Sequence, residues 1–89
     1  MITRSLRIRN RLGLHARAAA RFVHTAGRFQ CRVTAGREGR VMDGKSILGI
    51  LLLAASQGTE IEVTVDGPDE AEALAALEAL VADGFGEGA

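Results

Sequence analysis

Cysteine is nearly absent from this sequence of 89 residues, and that scarcity narrows the kinds of site it can hold. Cys31 is the single cysteine, which excludes an internal disulfide and any CxxC metal or redox motif. Its alternating apolar context predicts a small buried side chain within a strand rather than a reactive thiol. We expect residues 1–89 to form one domain whose stability comes from a modest hydrophobic core.

Long apolar runs and aromatic residues are also scarce. No uncharged apolar run reaches 18 residues, which excludes a transmembrane helix, and the arginine-rich start lacks the apolar region of a secretory signal. Three phenylalanines are the only aromatic residues, so a nucleic-acid surface that stacks bases is poorly supported. We therefore expect a cytoplasmic domain that neither enters a membrane nor binds nucleic acid.

The charges are balanced in number but not in position. All eleven lysines and arginines lie in residues 1–45, whereas nine of the eleven acidic residues lie in residues 46–89. This asymmetry predicts an electrically polarised protein. The basic half is best interpreted as a binding surface for a negatively charged protein partner.

Apolar periodicity predicts four strands and three helices in the order βαββαβα. The strands are expected at 2–8, 29–35, 40–43 and 59–66, with a tight turn at 36–39. Two helices are expected at residues 16–27 and 47–53, and a third is expected to begin within residues 67–70 and to end at Gly84. Residues 84–89 are expected to form a frayed tail. The fold class is α+β, with a four-stranded antiparallel sheet and three helices on one face. A ferredoxin-like arrangement has nearly the same order, and periodicity does not separate the two.

The last helix is predicted to have Pro68 in its first turn. Its buried stripe is expected to comprise Ala71, Leu74, Leu77, Leu80 and Val81.

The first helix is predicted to have one apolar and one basic side. In the first helix Gly27 is expected as the C-cap. Its apolar line is Ala19, Phe22, Val23 and Ala26, and the opposite stripe is Arg17, Arg21, His24 and Arg28. The basic stripe is equally consistent with a solvated face and with a docking surface.

The start of the first helix carries the strongest chemical signal. His15 follows Gly13-Leu14 and lies where backbone N–H groups and the helix dipole favour anions. The candidate donors are the N–H groups of Ala16, Arg17 and Ala18, and the Arg17 guanidinium matches phosphate oxygens. A neutral imidazole is a nucleophile for a phosphoryl group, although a lone histidine of this kind often only caps a helix.

The second helix is apolar on every side. Ser46 is its predicted N-cap. A helix of this composition either lies wholly in the core or leaves some leucine or isoleucine exposed as a partner-binding patch, and we favour the patch.

The segment from Leu12 to Ala20, LGLHARAAA, resembles the active-site signature of HPr, the histidine phosphocarrier of the bacterial phosphoenolpyruvate-dependent sugar phosphotransferase system. The segment from Gly44 to Ile50, GKSILGI, resembles the family's regulatory serine region at the matching spacing. The likeness continues through Gln57 to Ile61, QGTEI, and the closing helix, so it covers nearly the whole chain. The clear departure is Ala18, where the family usually has proline.

The resemblance implies an open-faced β-sandwich and a phosphoryl relay. His15 would accept the phosphoryl group from phosphorylated enzyme I and give it to enzyme IIA domains of sugar permeases, while Arg17 would stabilise the transferred group. Such a protein is a stoichiometric carrier rather than an enzyme, and it uses no cofactor or metal. It is expected to act as a monomer.

The resemblance also implies regulation and docking. Ser46 would be a phosphorylation site for an HPr serine kinase/phosphorylase. The residues expected to dock partners are Arg21, His24, Ile47, Leu48 and Leu51.

Two other functions remain open on the sequence. One is an HPr-like regulatory module that controls partner proteins without transferring phosphate, but family members of that kind lack the histidine. The other is a small-molecule or metal-binding ferredoxin-like domain, and no cysteine pair or His/acid cluster at ligand spacing supports its metal form.

Overall fold

The structure is a computed structural model that describes residues 1–87. Its strands are β1 (Ile2–Arg7), β2 (Arg32–Arg37), β3 (Arg40–Asp43) and β4 (Glu60–Asp66). Its helices are α1 (Ala16–Gly27), α2 (Ile47–Leu52) and α3 (Glu70–Ala82), and one turn of 3-10 helix follows at Gly84–Gly86. The predicted order βαββαβα is confirmed.

The four strands form one antiparallel sheet in the order β1-β4-β2-β3. Alternate residues of the central strands are buried, for example Val33, which pairs with Val65. The β2–β3 hairpin closes through Glu38 and Gly39, both with positive φ, as a two-residue hairpin turn requires. The helices cover one face of the sheet, and the other face carries polar side chains, which gives an open-faced sandwich.

One hydrophobic core joins the sheet to the helices. Its largest fully buried side chains include Phe22 from α1, Ile50 from α2 and Leu77 from α3. Ala18 and Ala19 have no exposed surface, so the first turns of α1 lie directly against this core. The start of α1 is therefore held rigidly, and it is here that His15 lies.

Strand β2 begins three residues later than predicted. The N–H groups of Gln30 and Cys31 donate to the Asp69 carboxylate, each at 2.8 Å, instead of joining the sheet. Phe29 and Cys31 therefore precede the strand, although Cys31 is buried as expected. Burial, followed by the contact with Asp69, raises the pKa of its thiol.

Three expectations for helix ends and faces are wrong. Asp69 is the N-cap of α3, so Pro68 lies before the helix rather than in its first turn. Ala73 is buried in place of Ala71, and Leu80 is only half-buried. Because α3 has alanine or leucine on most sides, its periodicity defines the buried stripe poorly. Similarly, Arg28 in ordinary helical conformation is the C-cap of α1, whereas Gly27 is its last residue.

The prediction of a frayed tail is wrong for residues 84–87. The 3-10 turn returns the chain to the protein, and Phe85 is only 1% exposed within the core. The apolar burial of this aromatic ring outweighs the conformational freedom of the neighbouring glycines. Residues 88–89, the remainder of the predicted tail, lie outside the described part of the chain.

Candidate functional site

His15 is the N-cap of α1. Its backbone is extended, with φ −76° and ψ 180°, and its Nδ1 accepts a hydrogen bond from the Arg17 N–H at 3.3 Å. Its carbonyl accepts the first helical hydrogen bond, from the Ala19 N–H at 2.9 Å. The imidazole therefore lies over the free N–H groups of the helix, where partial positive charge accumulates.

The loop before His15 is anchored to the chain that follows α2. The Leu14 N–H donates to the carbonyl of Ala55 at 2.9 Å, and the Leu14 side chain is buried. Gly13 has a φ of +68° and packs so closely that an added Cβ would lie 2.5 Å from the same carbonyl oxygen. The glycine in the GLHAR segment is thus required by both backbone conformation and space.

Glu87 also belongs to the site, although it lies in the glycine-rich segment predicted to fray. One carboxylate oxygen of Glu87 contacts Nε2 of His15, and the other accepts from Nδ2 of Asn10 at 2.9 Å. Nδ2 of Asn10 also donates to the carbonyl of Gly13 at 2.8 Å. No sequence signal joins residues 10 and 87, because their contact depends on the folding of the whole chain.

The Glu87 carboxylate is in a polar but sheltered position, with 13% of its side chain exposed. The hydrogen bond from Asn10 holds the pKa of this carboxyl below its ordinary value, with further lowering by His15 and Arg21 against the effect of burial. The group is therefore ionised at neutral pH and presents a negative charge to His15.

The basic stripe of α1 is exposed as predicted, with Arg17, Arg21, His24 and Arg28 all accessible. Three of these residues, Arg17, Arg21 and His24, line a groove of about 540 Å³ beside α3. Arg21 also donates to the carbonyl of Phe85, so it ties α1 to the turn that carries Glu87.

The apolar patch on α2 is present but differs by one residue from the predicted set. Ile47 and Leu48 are 46% and 67% exposed, whereas Leu51 is half-buried. Leu52 is 47% exposed and was not predicted. Because α2 packs against α1, the patch and the basic stripe belong to neighbouring helices.

Ser46 caps α2 as predicted. Its Oγ accepts from the Gly49 N–H at 3.1 Å, and the residue is half-buried. The neighbouring Lys45 ammonium donates to the carbonyl of Phe29 at 2.7 Å, so it is directed toward the chain before β2.

Within residues 1–87, no three His, Cys, Asp or Glu side chains are grouped so that they could hold a metal ion. In the same part of the chain, no helix has the length and hydropathy needed to cross a membrane.

A family model described as the PTS HPr component phosphorylation site matches residues 2–83. The chain belongs to the HPr family. The phosphocarrier protein HPr of Cupriavidus necator is 50% identical to it over 88 residues, which are 99% of each chain. The resemblance inferred from the two sequence motifs is thereby confirmed.

Solved structures of the HPr family share the fold. An HPr of Thermoanaerobacter tengcongensis superposes with a TM-score of 0.96 at 39% identity, and the match covers all of both chains. The catabolite repression protein Crh of Bacillus subtilis, whose crystal structure is a dimer, gives a TM-score of 0.76 at 40% identity over 94% of this chain and 97% of Crh. The sheet arrangement is thus that of the HPr open-faced sandwich, as the resemblance implied, and not the ferredoxin-like one.

Proposed function

We propose that this protein relays a phosphoryl group from phosphorylated enzyme I to enzyme IIA domains of sugar permeases, with His15 as the carrier residue. The observation that carries the proposal is the position of His15 as the N-cap of α1, with Nδ1 against the Arg17 N–H. A helix N-terminus stabilises a dianionic group without a metal, because its N–H groups and dipole are already oriented toward the anion.

Nδ1 is the nitrogen that receives the phosphoryl group. Nε2 is engaged by Glu87, whereas Nδ1 has only the 3.3 Å contact from a backbone N–H. The Nδ1–phosphorus bond forms as the bond from phosphorus to the donor breaks. The Arg17 N–H, which then no longer finds a lone pair on Nδ1, can donate its hydrogen bond to a phosphoryl oxygen instead. The N–H groups of Ala16 and Ala18 and the exposed Arg17 guanidinium supply further donors.

The carrier acts stoichiometrically. Each cycle forms and then breaks one bond at His15, so the protein returns to its starting state only after a second partner removes the group. It is consequently a carrier and not an enzyme with its own turnover. In this proposal it is a component of the phosphotransferase system and acts as a cytoplasmic monomer.

The docking surface combines charge with apolar area. Arg21 and His24 on α1 provide the positive part, and Ile47, Leu48 and the half-buried Leu51 on α2 provide the apolar part. An acidic partner surface with an apolar centre fits this combination, since opposite charges accelerate association and buried apolar area stabilises the complex.

Ser46 is the regulatory site in this proposal. Phosphorylation by an HPr serine kinase would add about −1.5 to −2 charges at the start of α2, next to Ile47 and Leu48. Negative charge is tolerated at a helix N-terminus, so the fold would persist while the docking surface changed sign.

A second candidate function is a regulatory module that binds its partners without transferring phosphate. Its support is the similarity to Crh, a catabolite repression protein. His15 argues against it, because a module that only binds has no need of a nucleophile at this helix start.

The test is incubation with enzyme I and labelled phosphoenolpyruvate, followed by measurement of acid-labile phosphate on the protein. Wild type should take up one phosphate per chain, and His15→Ala should take up none. His24→Ala, the control for the other histidine, should also reach one phosphate per chain at the end point, because loss of a docking contact slows transfer without removing the acceptor. The His15→Ala fold should be unchanged by circular dichroism. Label on His15→Ala, or none on folded wild type, would contradict the relay.

A further inference from the structure

Glu87 reaches His15 through a built connection rather than a loose tail. Phe85, 1% exposed, anchors the turn in the core, and the Arg21 guanidinium binds the Phe85 carbonyl from α1. Both contacts lie within two residues of Glu87, so its backbone is held in place independently of its own side-chain contacts.

Asn10 then fixes the carboxylate. Asn10 has no exposed surface, and its Nδ2 donates to both the Gly13 carbonyl and Glu87. A flipped amide would set its oxygen against these two acceptors, so only one orientation is compatible with them. In that orientation Oδ1 is buried without a hydrogen-bond partner among residues 1–87, so the two donor contacts decide the orientation.

The second carboxylate oxygen of Glu87 determines which nitrogen of the neutral His15 ring carries the proton. An ionised carboxylate only accepts hydrogen bonds, so the neutral ring carries its proton on Nε2 and leaves the lone pair on Nδ1. The Arg17 N–H, which donates to Nδ1, favours the same tautomer.

We propose that Glu87 is a positioning residue for phosphoryl transfer, which selects the Nε2–H tautomer of His15 and offsets the positive charge that the ring gains. The inference rests on the proposed function of His15. The Nδ1 lone pair forms the bond to phosphorus, and the electron pair of the broken bond stays with the donor. The ring retains its Nε2 proton and becomes cationic beside the Glu87 carboxylate. The charge is lost again when the group passes to the next acceptor.

Two substitutions of Glu87 separate positioning from mere structural support. In Glu87→Gln, Asn10 would hold the amide oxygen, so the amide nitrogen would donate to Nε2 and shift the ring toward the Nδ1–H tautomer. Glu87→Ala leaves Nε2 without a side-chain partner from residue 87, so neither tautomer is imposed from that side. The control is Glu72→Gln, which removes the same charge from an exposed position in the first turn of α3.

The experiment measures ¹⁵N chemical shifts of the His15 ring at about pH 8.5, where imidazole is normally neutral, and the initial rate of phosphate transfer from phosphorylated enzyme I. We expect rates in the order wild type, Glu87→Ala, Glu87→Gln, with the last slower by on the order of tenfold or more. The ring of Glu87→Gln should move toward Nδ1–H, and Glu72→Gln should match wild type in both measurements.

The outcomes distinguish the two proposals. Wild-type ring shifts and rates in Glu87→Gln, or a Gln variant faster than the Ala variant, would overturn the positioning role while the relay stands. If wild type accepts no phosphate, the relay fails, and the ring shifts alone still decide whether Glu87 selects the tautomer.

Discussion

The carbonyl oxygen of Ala55 limits what residue can occupy position 13. It accepts the Leu14 N–H at 2.9 Å, and a Cβ on Gly13 would approach it to 2.5 Å. The carbonyl oxygen of Ala55 belongs to the backbone and not to a flexible side chain, so the backbone itself would have to move to make room for a Cβ. The loop that carries His15 is thus fixed in position by a contact with the segment after α2.

Gly13→Ala should therefore destabilise the protein more than a glycine substitution that costs only conformational strain. Gly39 is the matched control, because its φ is +81° and an added Cβ would meet nothing within 4 Å. We expect Gly39→Ala to lower the free energy of unfolding by about 1–2 kcal/mol and Gly13→Ala by about 3 kcal/mol or more. Urea denaturation measures both losses, and equal losses would contradict the close approach to Ala55.

Ala18→Pro should stabilise the protein. Ala18 lies in the first turn of α1, where the backbone is helical and a proline removes no intrahelical hydrogen bond. By restricting the unfolded chain, the substitution should add about 0.4–1 kcal/mol to the free energy of unfolding. The control is Ala20→Pro, two residues later on the exposed side and beyond the free N–H groups of the helix start, which should cost about 3 kcal/mol. A lower melting temperature for Ala18→Pro would show that the buried site has no room for the ring.

Ser46→Asp should slow phosphate transfer from enzyme I, by on the order of tenfold at low salt, because the new charge repels an acidic partner. The difference should shrink as salt rises and screens the charges. Ser46→Asn is the matched control, since it preserves an N-cap acceptor for the Gly49 N–H without the charge. The electrostatic explanation would be rejected if phosphate transfer to Ser46→Asn were also slow, or if the transfer rate of Ser46→Asp did not depend on salt concentration.

Asp69 should contribute to stability above acidic pH. The Gln30 N–H, followed by that of Cys31, lowers the pKa of the Asp69 carboxyl, so its folded value lies below the unfolded value of about 3.9. This contribution is complete above the unfolded pKa and disappears as pH falls through the folded pKa. The melting temperature of wild type should therefore exceed that of Asp69→Asn at pH 7, and the gap should close as pH falls below the unfolded pKa of about 3.9 and through the lower folded pKa.

The control for Asp69 is Glu62→Gln on the exposed face of β4, a side chain with no hydrogen-bond partner among the described residues. Its melting temperature should stay close to wild type across the same pH range. A constant gap between wild type and Asp69→Asn at every pH would mean that the two backbone contacts do not depend on the carboxylate charge.

The sequence alone determined the order of the seven main elements and the location of His15 and Arg17 at a helix start. Both depend on local signals, namely apolar periodicity and the capping preferences of residues next to a helix. Ser46 as the cap of α2 and the exposure of Ile47 and Leu48 were also predictable, because a short helix apolar on all sides cannot be buried on all of them.

Only the tertiary structure decided the contacts between residues far apart in the chain. The Asp69 carboxylate accepts hydrogen bonds from the N–H groups of Gln30 and Cys31, so β2 begins only after these residues. Phe85 enters the core, which turns a glycine-rich segment expected to fray into an ordered turn. Asn10, His15 and Glu87 meet for the same reason, since local propensity carries no information about which distant side chains the completed core will bring together.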